Sequence, residues 1–136
     1  MVGTGRKIAE SCVGMRVRRL SRMITRIFDE ELRPHGVELA QLNLLVALGA
    51  AGALSPHDLG VLLDIEKSTL SRTLRTLERD GLVALERTSG RVSATLTRTG
   101  ERKLEDVRAP WESAQRRARA SLGDELFLHL RSLPSH

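Results

Sequence analysis

The hydrophobic residues between positions 55 and 81 recur at helical spacing in two short blocks separated by a few polar residues. The first block begins with Ser55 as a helix cap and Pro56 at the first helical position, and this order is typical of a helix start. Its buried side consists of Leu59, Leu62 and Leu63. At about 100° per residue, the buried side of the second block falls in one narrow arc, formed by Leu70, Leu74 and Leu77. The pattern predicts two helices joined by a tight turn.

The opposite side of the second predicted helix is basic and rich in hydroxyl groups. Its centre consists of Ser68, Arg72, Arg75 and Arg79, and its flanks of Thr69, Ser71 and Thr76. Lys67, at the start of the helix, is a further candidate for DNA contact. Guanidinium and hydroxyl groups are the side chains that contact phosphates and base edges. The acids Glu66, Glu78 and Asp80 lie near the ends of this helix, whereas an ordinary solvated face more often mixes the two signs of charge. We therefore predict a DNA-reading helix, with Ser55 of the preceding cap also in contact with DNA.

The turn between the two helices agrees with a helix–turn–helix in most positions. Gly60 stands where a small residue lets the two helices approach closely. Asp64 occupies the turn position where glycine would be easiest, although aspartate tolerates the left-handed conformation better than most residues.

Two alternating segments follow the second helix after Gly81. Residues 83–87 and 92–96 alternate apolar and polar side chains, as half-buried strands do, around the polar turn 88–91. Arg87 and Arg91 stand at the two shoulders of this turn. A ribbon of this kind directly after a DNA-reading helix is a wing, and its arginines suit a narrow minor groove.

Further helices are predicted on both sides of this module. Before it, residues 11–32 carry a helical stripe that ends at Pro34 and Gly36, and residues 39–51 form a nearly all-apolar helix. After it, a long helix starts at about Arg98 and runs towards Leu122, with Pro110 expected to kink it or divide it in two. A last helix covers residues 124–133.

The apolar stripes of these outer helices exceed what a small winged helix needs for its own core. They consist of Val17, Leu20, Ile24, Ile27 and Phe28, then Trp111, Ala114, Ala118 and Leu122, and finally Leu126, Phe127, Leu130 and Leu133. Burial against a second copy of the chain explains them economically. We predict a mainly α-helical protein of about six helices with a small β-hairpin wing, in which a winged helix–turn–helix is joined to a dimerisation region formed by the terminal helices.

Length and composition fit one domain that binds a polyanion. We assign residues 1–136 to a single domain, with 1–10 a loose N-terminal arm, 11–36 and 98–134 the dimerisation helices, and 39–97 the winged helix–turn–helix. The net charge is +5 and the isoelectric point about 10.6, which suits nucleic acid. One cysteine allows no internal disulfide, and no segment has the apolar length of a membrane span or a secretory signal. We expect a bacterial cytoplasmic protein.

The chain resembles the MarR family of bacterial winged-helix transcriptional regulators from about Cys12 to its C-terminus. The resemblance lies in the order and spacing of segments 21–26, 32–37, 41–45, 68–72, 77–83 and 96–100. It implies a homodimer with interlocked terminal helices that binds an inverted repeat in a promoter, acts as a repressor and is released by a small molecule or an oxidant. The wing departs from the family pattern, because the turn 88–91 lacks the aspartate that usually precedes Arg91 by two residues.

The resemblance leaves two kinds of switch open. A small aromatic or phenolic effector would bind in a crevice between the dimer helices and the winged lobe, where Arg16, Arg19 and His35 are the candidate ligand-binding residues. Alternatively, Cys12 would sense oxidants, since it lies near the reactive cysteine of thiol-based sensors of this family. Those sensors also use tyrosines, and this chain has none.

Two other classes of function compete with a DNA-binding regulator. An enzyme is disfavoured because the four histidines are far apart and no HExxH, phosphate-binding glycine loop or GxSxG turn is present. We accordingly predict no metal ion, no cofactor and no catalytic residue. A winged helix used only for protein–protein contact would replace the reading face with apolar or acidic residues, whereas this face keeps Arg72, Arg75 and Arg79.

Overall fold

Most helices of the computed structural model lie where the spacing of hydrophobic residues predicts them. The structure describes residues 3–135. Met1, Val2 and His136 lie outside the described residues. In chain order the elements are α1 (Gly3–Ser11), α2 (Val13–Leu32), a 3₁₀ turn (Arg33–His35), α3 (Leu39–Ala51), β1 (Ala53–Leu54), α4 (Pro56–Leu63), α5 (Lys67–Arg79), β2 (Val83–Thr88), β3 (Arg91–Leu96), α6 (Arg98–Asp106), α7 (Arg108–Leu122) and α8 (Asp124–Ser132).

The described part of the chain has eight α-helices, not about six. One additional helix is α1, in the segment expected to be a loose arm, and none of its residues is buried. The other arises because the predicted long helix is divided in two at Val107. Division was one of the two outcomes predicted from Pro110, the other being a kink. Proline has no N–H to donate to the carbonyl four residues earlier, and its ring crowds that carbonyl.

Helix α3 lies at the centre of the molecule. It contacts α2, α4, α5, α6 and strand β3. These contacts on several sides explain why its sequence is nearly all apolar. Leu44, Leu45 and Leu48 are fully buried and meet Leu59 of α4 and Leu77 of α5 in one core. Full burial of a leucine side chain contributes about 1.5–3 kcal/mol, and this core therefore holds α4 and α5 in place.

Three short strands form an antiparallel sheet in the order β1–β3–β2. The β2–β3 hairpin is the predicted wing, and its turn consists of Ser89 and Gly90 at φ +52° and +76°. Positive φ at both central residues is the two-residue turn that matches the twist of a hairpin. Strand β1 was not predicted, because its two residues are too short to show an alternating pattern.

The end of α5, the wing and the start of α6 meet at one tight junction. Thr97 donates its backbone N–H to Leu82 O at 3.1 Å and its hydroxyl to Gly81 O at 2.5 Å. The Thr97 hydroxyl oxygen also caps α6 by accepting from the Gly100 N–H at 3.0 Å. A Cβ at position 100 would lie 2.1 Å from Leu82 O, so only glycine fits here.

Helix α7 packs along α2 within the same chain. Ala114 and Ala118 are buried against the core that includes α2, and small side chains let the two helices approach closely. Arg117 joins them further by donating to Glu30 at 2.6 Å and Glu31 at 3.1 Å. These hydrogen bonds, first to Glu30 and then to Glu31, raise the pKa of the Arg117 guanidinium. The prediction that Ala114 and Ala118 face a second copy is therefore wrong, because the chain's own α2 covers them.

Other apolar residues of the terminal helices are left exposed. In α8, Phe127 is buried, while Leu126 and Leu130 are exposed, as is Leu133 directly after the helix. In α2, Ile27 and Phe28 are buried, whereas Val13, Met15 and Val17 are exposed, as is Trp111 of α7. The outer apolar stripes thus divide into a part that belongs to the chain's own core and a part that this core does not use.

Candidate nucleic-acid interface

The turn between α4 and α5 has the geometry that the sequence predicts. The Ser55 hydroxyl caps α4 by accepting from the Asp58 N–H at 3.0 Å. Asp64 adopts the left-handed conformation at φ +51° and ψ +51°. A Cβ at Gly60 would lie 3.3 Å from Ile65 O and 3.4 Å from Leu70 Cδ2, which explains the need for a small residue. The two helices are consequently held close together.

Helix α5 is anchored by the predicted stripe and turns its other side outward. Leu70, Leu74 and Leu77 are at most 3% exposed. The predicted DNA-binding residues of the helix, Lys67, Ser68, Thr69, Ser71, Arg72, Arg75 and Arg79, are all exposed. Ser55, at the start of α4, is half-buried. The structure thus places the basic side of α5 on the surface, where a DNA groove can reach it.

The guanidinium groups in the middle of this face pair with no acid in the described part of the chain. Among residues 3–135, neither Arg72 nor Arg75 has a carboxylate within 4.0 Å. Arg72 Nη2 makes a weak contact of 3.4 Å with Thr69 Oγ1. Arg79 lies 3.5 Å from Asp80 and remains 74% exposed at its side chain. These cations are therefore available to an external anion.

Two threonines beside this face use their hydroxyls internally. Thr73 Oγ1 donates to Thr69 O at 2.9 Å, and Thr76 Oγ1 donates to Arg72 O at 3.1 Å. Their protons are occupied by the helix backbone, so the polar contacts that α5 offers come from the serines, Thr69 and the cationic side chains.

Arg87 and Arg91 are exposed near the end of the wing. Arg91 pairs with Thr88 across the hairpin, and Arg87 pairs with Val92. Within the described part of the chain, no carboxylate lies within salt-bridge distance of either arginine. The two-residue turn positions both arginines without the family's aspartate.

A cleft of about 760 Å³ lies between α4, α5 and the wing. Its apolar residues include Val61, Ile65, Leu70, Leu74, Leu85 and Val92, and its polar residues include Ser71, Arg75 and Arg87. The sequence did not predict this cleft. The size of the cleft depends on the distance between the wing and α4, and no local sequence pattern indicates that distance. A small ligand in the cleft would contact residues of the DNA-reading face.

The candidate effector and redox residues lie elsewhere. Arg16, Arg19 and His35 are exposed and do not line the cleft. The Arg16 guanidinium donates to the carbonyls of Glu10 and Cys12, and it does not donate to the Cys12 thiol. The backbone carbonyl of His35 accepts from Lys103 Nζ at 2.8 Å. Their roles stay predictions, because the crevice in which they were placed requires a second copy.

Residues 3–135 contain no group of three or more His, Cys, Asp or Glu side chains arranged to hold a metal ion. None of the helices over the same range is long and apolar enough to cross a membrane.

Comparison with known proteins identifies what this fold resembles. Residues 35–91 match the model of the MarR family. An uncharacterized HTH-type transcriptional regulator of Bacillus subtilis (strain 168), YwoH, is 26% identical over 115 residues, which cover 81% of this chain and 84% of the relative. The family resemblance inferred from the sequence is confirmed.

Two solved structures share the fold. A mutant MarR from E. coli, complexed with operator DNA, has a TM-score of 0.78 at 21% identity, covering 93% of this chain and 97% of that one. BpsR of Bordetella bronchiseptica, whose DNA binding is regulated by 6-hydroxynicotinic acid, has a TM-score of 0.78 at 24% identity, covering 88% and 90%. The matched family and these relatives are regulators rather than enzymes.

Proposed function

We propose that this chain, whose residues 35–91 match the model of the MarR family, is a transcriptional regulator that binds double-stranded promoter DNA. Helix α5 would enter the major groove with its exposed basic side, and the wing would place Arg87 and Arg91 in the adjacent minor groove. Such a protein acts where promoter DNA lies, in the bacterial cytoplasm.

The observation that carries this proposal is that two guanidinium groups on α5 pair with no carboxylate of residues 3–135. Arg72 and Arg75 lie on the outer side of a helix whose inner side is locked by three buried leucines. A cation without an intramolecular partner gains most from an external anion, and regularly spaced anions are what the DNA backbone supplies. The E. coli MarR mutant, which shares this fold, was solved in complex with operator DNA, and this supports DNA as the external anion.

We further propose that the functional unit is a homodimer bound to an inverted repeat. One reading helix spans only a few base pairs, and two helices related by a twofold axis meet successive major grooves about 34 Å apart. The exposed apolar residues of α2, α7 and α8 supply the surface for this dimer. Repression is the proposed mode, because a dimer seated on a promoter obstructs polymerase.

The experiment that tests DNA binding is fluorescence anisotropy with two labelled duplexes of equal length. One duplex comes from the region upstream of the encoding gene, and the other has a scrambled sequence. We expect tighter binding to the first duplex, and an affinity that falls about 10³-fold between 50 and 200 mM salt if a dimer makes about six phosphate contacts. Equal affinity for both duplexes, or no dependence on salt, would contradict the proposal and favour a module for protein contact.

We propose that a small aromatic acid releases the DNA. The cleft between α5 and the wing has an apolar interior and the cations of Arg75 and Arg87, which suit a ring and a carboxylate. A ligand bound there would compete with DNA for both arginines. BpsR, regulated by 6-hydroxynicotinic acid, provides a precedent for this ligand class within the fold. The crevice with Arg16, Arg19 and His35 is the alternative location, and an oxidant acting on Cys12 is the alternative signal.

Thermal-shift measurements with a panel of aromatic acids test the effector and its location together. We expect at least one acid to raise the melting temperature of the parent protein, since a ligand that binds only the folded state stabilises it. The Arg87→Ala variant should lose this shift and the Arg19→Ala variant should keep it. The reverse pattern would move the site to the crevice, whereas no shift of the parent by any acid would contradict an aromatic effector.

A further inference from the structure

Glu66 introduces a negative charge at the start of an otherwise basic reading surface. It is exposed and immediately precedes α5, and its backbone carbonyl accepts from the Leu70 N–H at 2.9 Å. The side chains that usually cap a helix from this position are the short ones of Ser, Thr, Asp and Asn. The Glu66 side chain makes no such capping bond, so helix capping does not account for the position of its carboxylate.

The carboxylate of Glu66 is instead oriented by Ser68. The Ser68 hydroxyl donates to Glu66 Oε1 at 3.0 Å. At about 100° per residue, Ser68 lies on the same strip of α5 as Arg72 and Arg75. The Ser68 hydrogen bond therefore holds the Glu66 carboxylate over the N-terminal end of the strip that we propose enters the groove.

The chemistry of the groove restricts what this carboxylate can contact. Phosphates repel it, and the first residues of a reading helix are the ones that reach base edges. Within the major groove, cytosine presents an exocyclic amine as a donor, and acidic side chains accept from this amine. Thymine presents a carbonyl at the equivalent position, which would repel the carboxylate.

We propose that Glu66, positioned by Ser68, reads a cytosine in each half-site and thereby contributes to operator specificity. This inference rests on the proposed function and adds to it a sequence preference for the same surface. Ser68 satisfies Oε1, and Oε2 remains to accept from the cytosine amine. A contact of this kind through one oxygen should discriminate about tenfold against a substituted base pair.

The test is selection of binding sites from a randomised duplex library, carried out in parallel on four proteins. The parent should enrich a half-site with one fixed C·G pair that depends on Glu66. Glu66→Ala should lose the preference at that pair by about tenfold while the remaining positions of the motif stay unchanged. Ser68→Ala should weaken the same preference without changing other positions. Glu105→Gln changes an exposed residue of α6. It makes the same change in net charge as Glu66→Ala and should select the parental motif.

The outcomes separate a base contact from a charge effect and from failure of DNA binding. An arginine that contacts the guanine could also make the protein select this C·G pair. The motif selected by Glu66→Ala is therefore the decisive result. If Glu66→Ala selects the unchanged motif and binds all duplexes more tightly by one factor, the carboxylate acts only by repulsion and the inference is wrong. If the parent enriches no motif, the proposed function fails and this inference fails with it.

Discussion

Removal of both Arg72 and Arg75 should lower operator affinity about a hundredfold or more, because each contact contributes about 1–3 kcal/mol. Both guanidinium groups are exposed, and within residues 3–135 neither has an acidic partner, so the Arg72→Ala/Arg75→Ala variant breaks no ion pair of the fold. The buried stripe of α5 is unchanged, so the loss should appear in DNA binding and leave the free energy of unfolding nearly unaltered. Anisotropy titration, with the melting temperature measured alongside, checks both.

The single variants separate a phosphate contact from a base contact. Loss of a phosphate contact weakens binding to every sequence. It reduces the slope of log K against log salt by about 2, because the substitution removes one contact from each subunit of the proposed dimer. Loss of a base contact relaxes specificity at one base pair instead. Arg98→Ala/Arg102→Ala removes two exposed charges from α6 and serves as the control. Parental affinity in the α5 variant would show that the reading face is misassigned.

Val17→Asp should convert the proposed dimer into single chains at micromolar concentration. Val17 is 56% exposed on α2, and a carboxylate buried without a partner in an apolar interface costs several kcal/mol. The parent should sediment at twice the chain mass of 15.1 kDa, and the variant at that mass. Because a single chain binds only one half-site, the variant should also bind the operator more weakly than the dimeric parent.

Val46→Asp provides a matched control for the dimer variant. Val46 lies on α3 and is 52% exposed, so the same substitution is made at nearly the same exposure, outside the terminal helices. This variant should remain a dimer. A parent protein that sediments as a single chain, or a Val17→Asp variant that stays dimeric, would contradict the assignment of the exposed apolar surface.

The winged helix could be predicted from sequence because its signals are local. The leucine stripe of α5, the Ser55 cap and the alternating strands each lie within about a dozen residues of chain. The exposed arginines follow from the same period, since a helix with one buried side must turn the opposite side outward.

The errors arose where a pattern shows burial without showing the partner. Ala114 and Ala118 form a periodic stripe, and that stripe alone does not distinguish the chain's own α2 from a second subunit. Strand β1 and the cleft beside α5 depend on contacts with the distant wing. The Ser68–Glu66 hydrogen bond was missed for a different reason, because helix periodicity assigns sides to residues and says nothing of side-chain rotamers.

Trp111 is the only tryptophan, and the chain contains no tyrosine. Its indole is 40% exposed in the first turns of α7. Ultraviolet emission excited at the indole band therefore originates from one location, which lies among the exposed apolar residues assigned to subunit contact. The unlabelled protein thus carries its own optical reporter of the hydration of that surface.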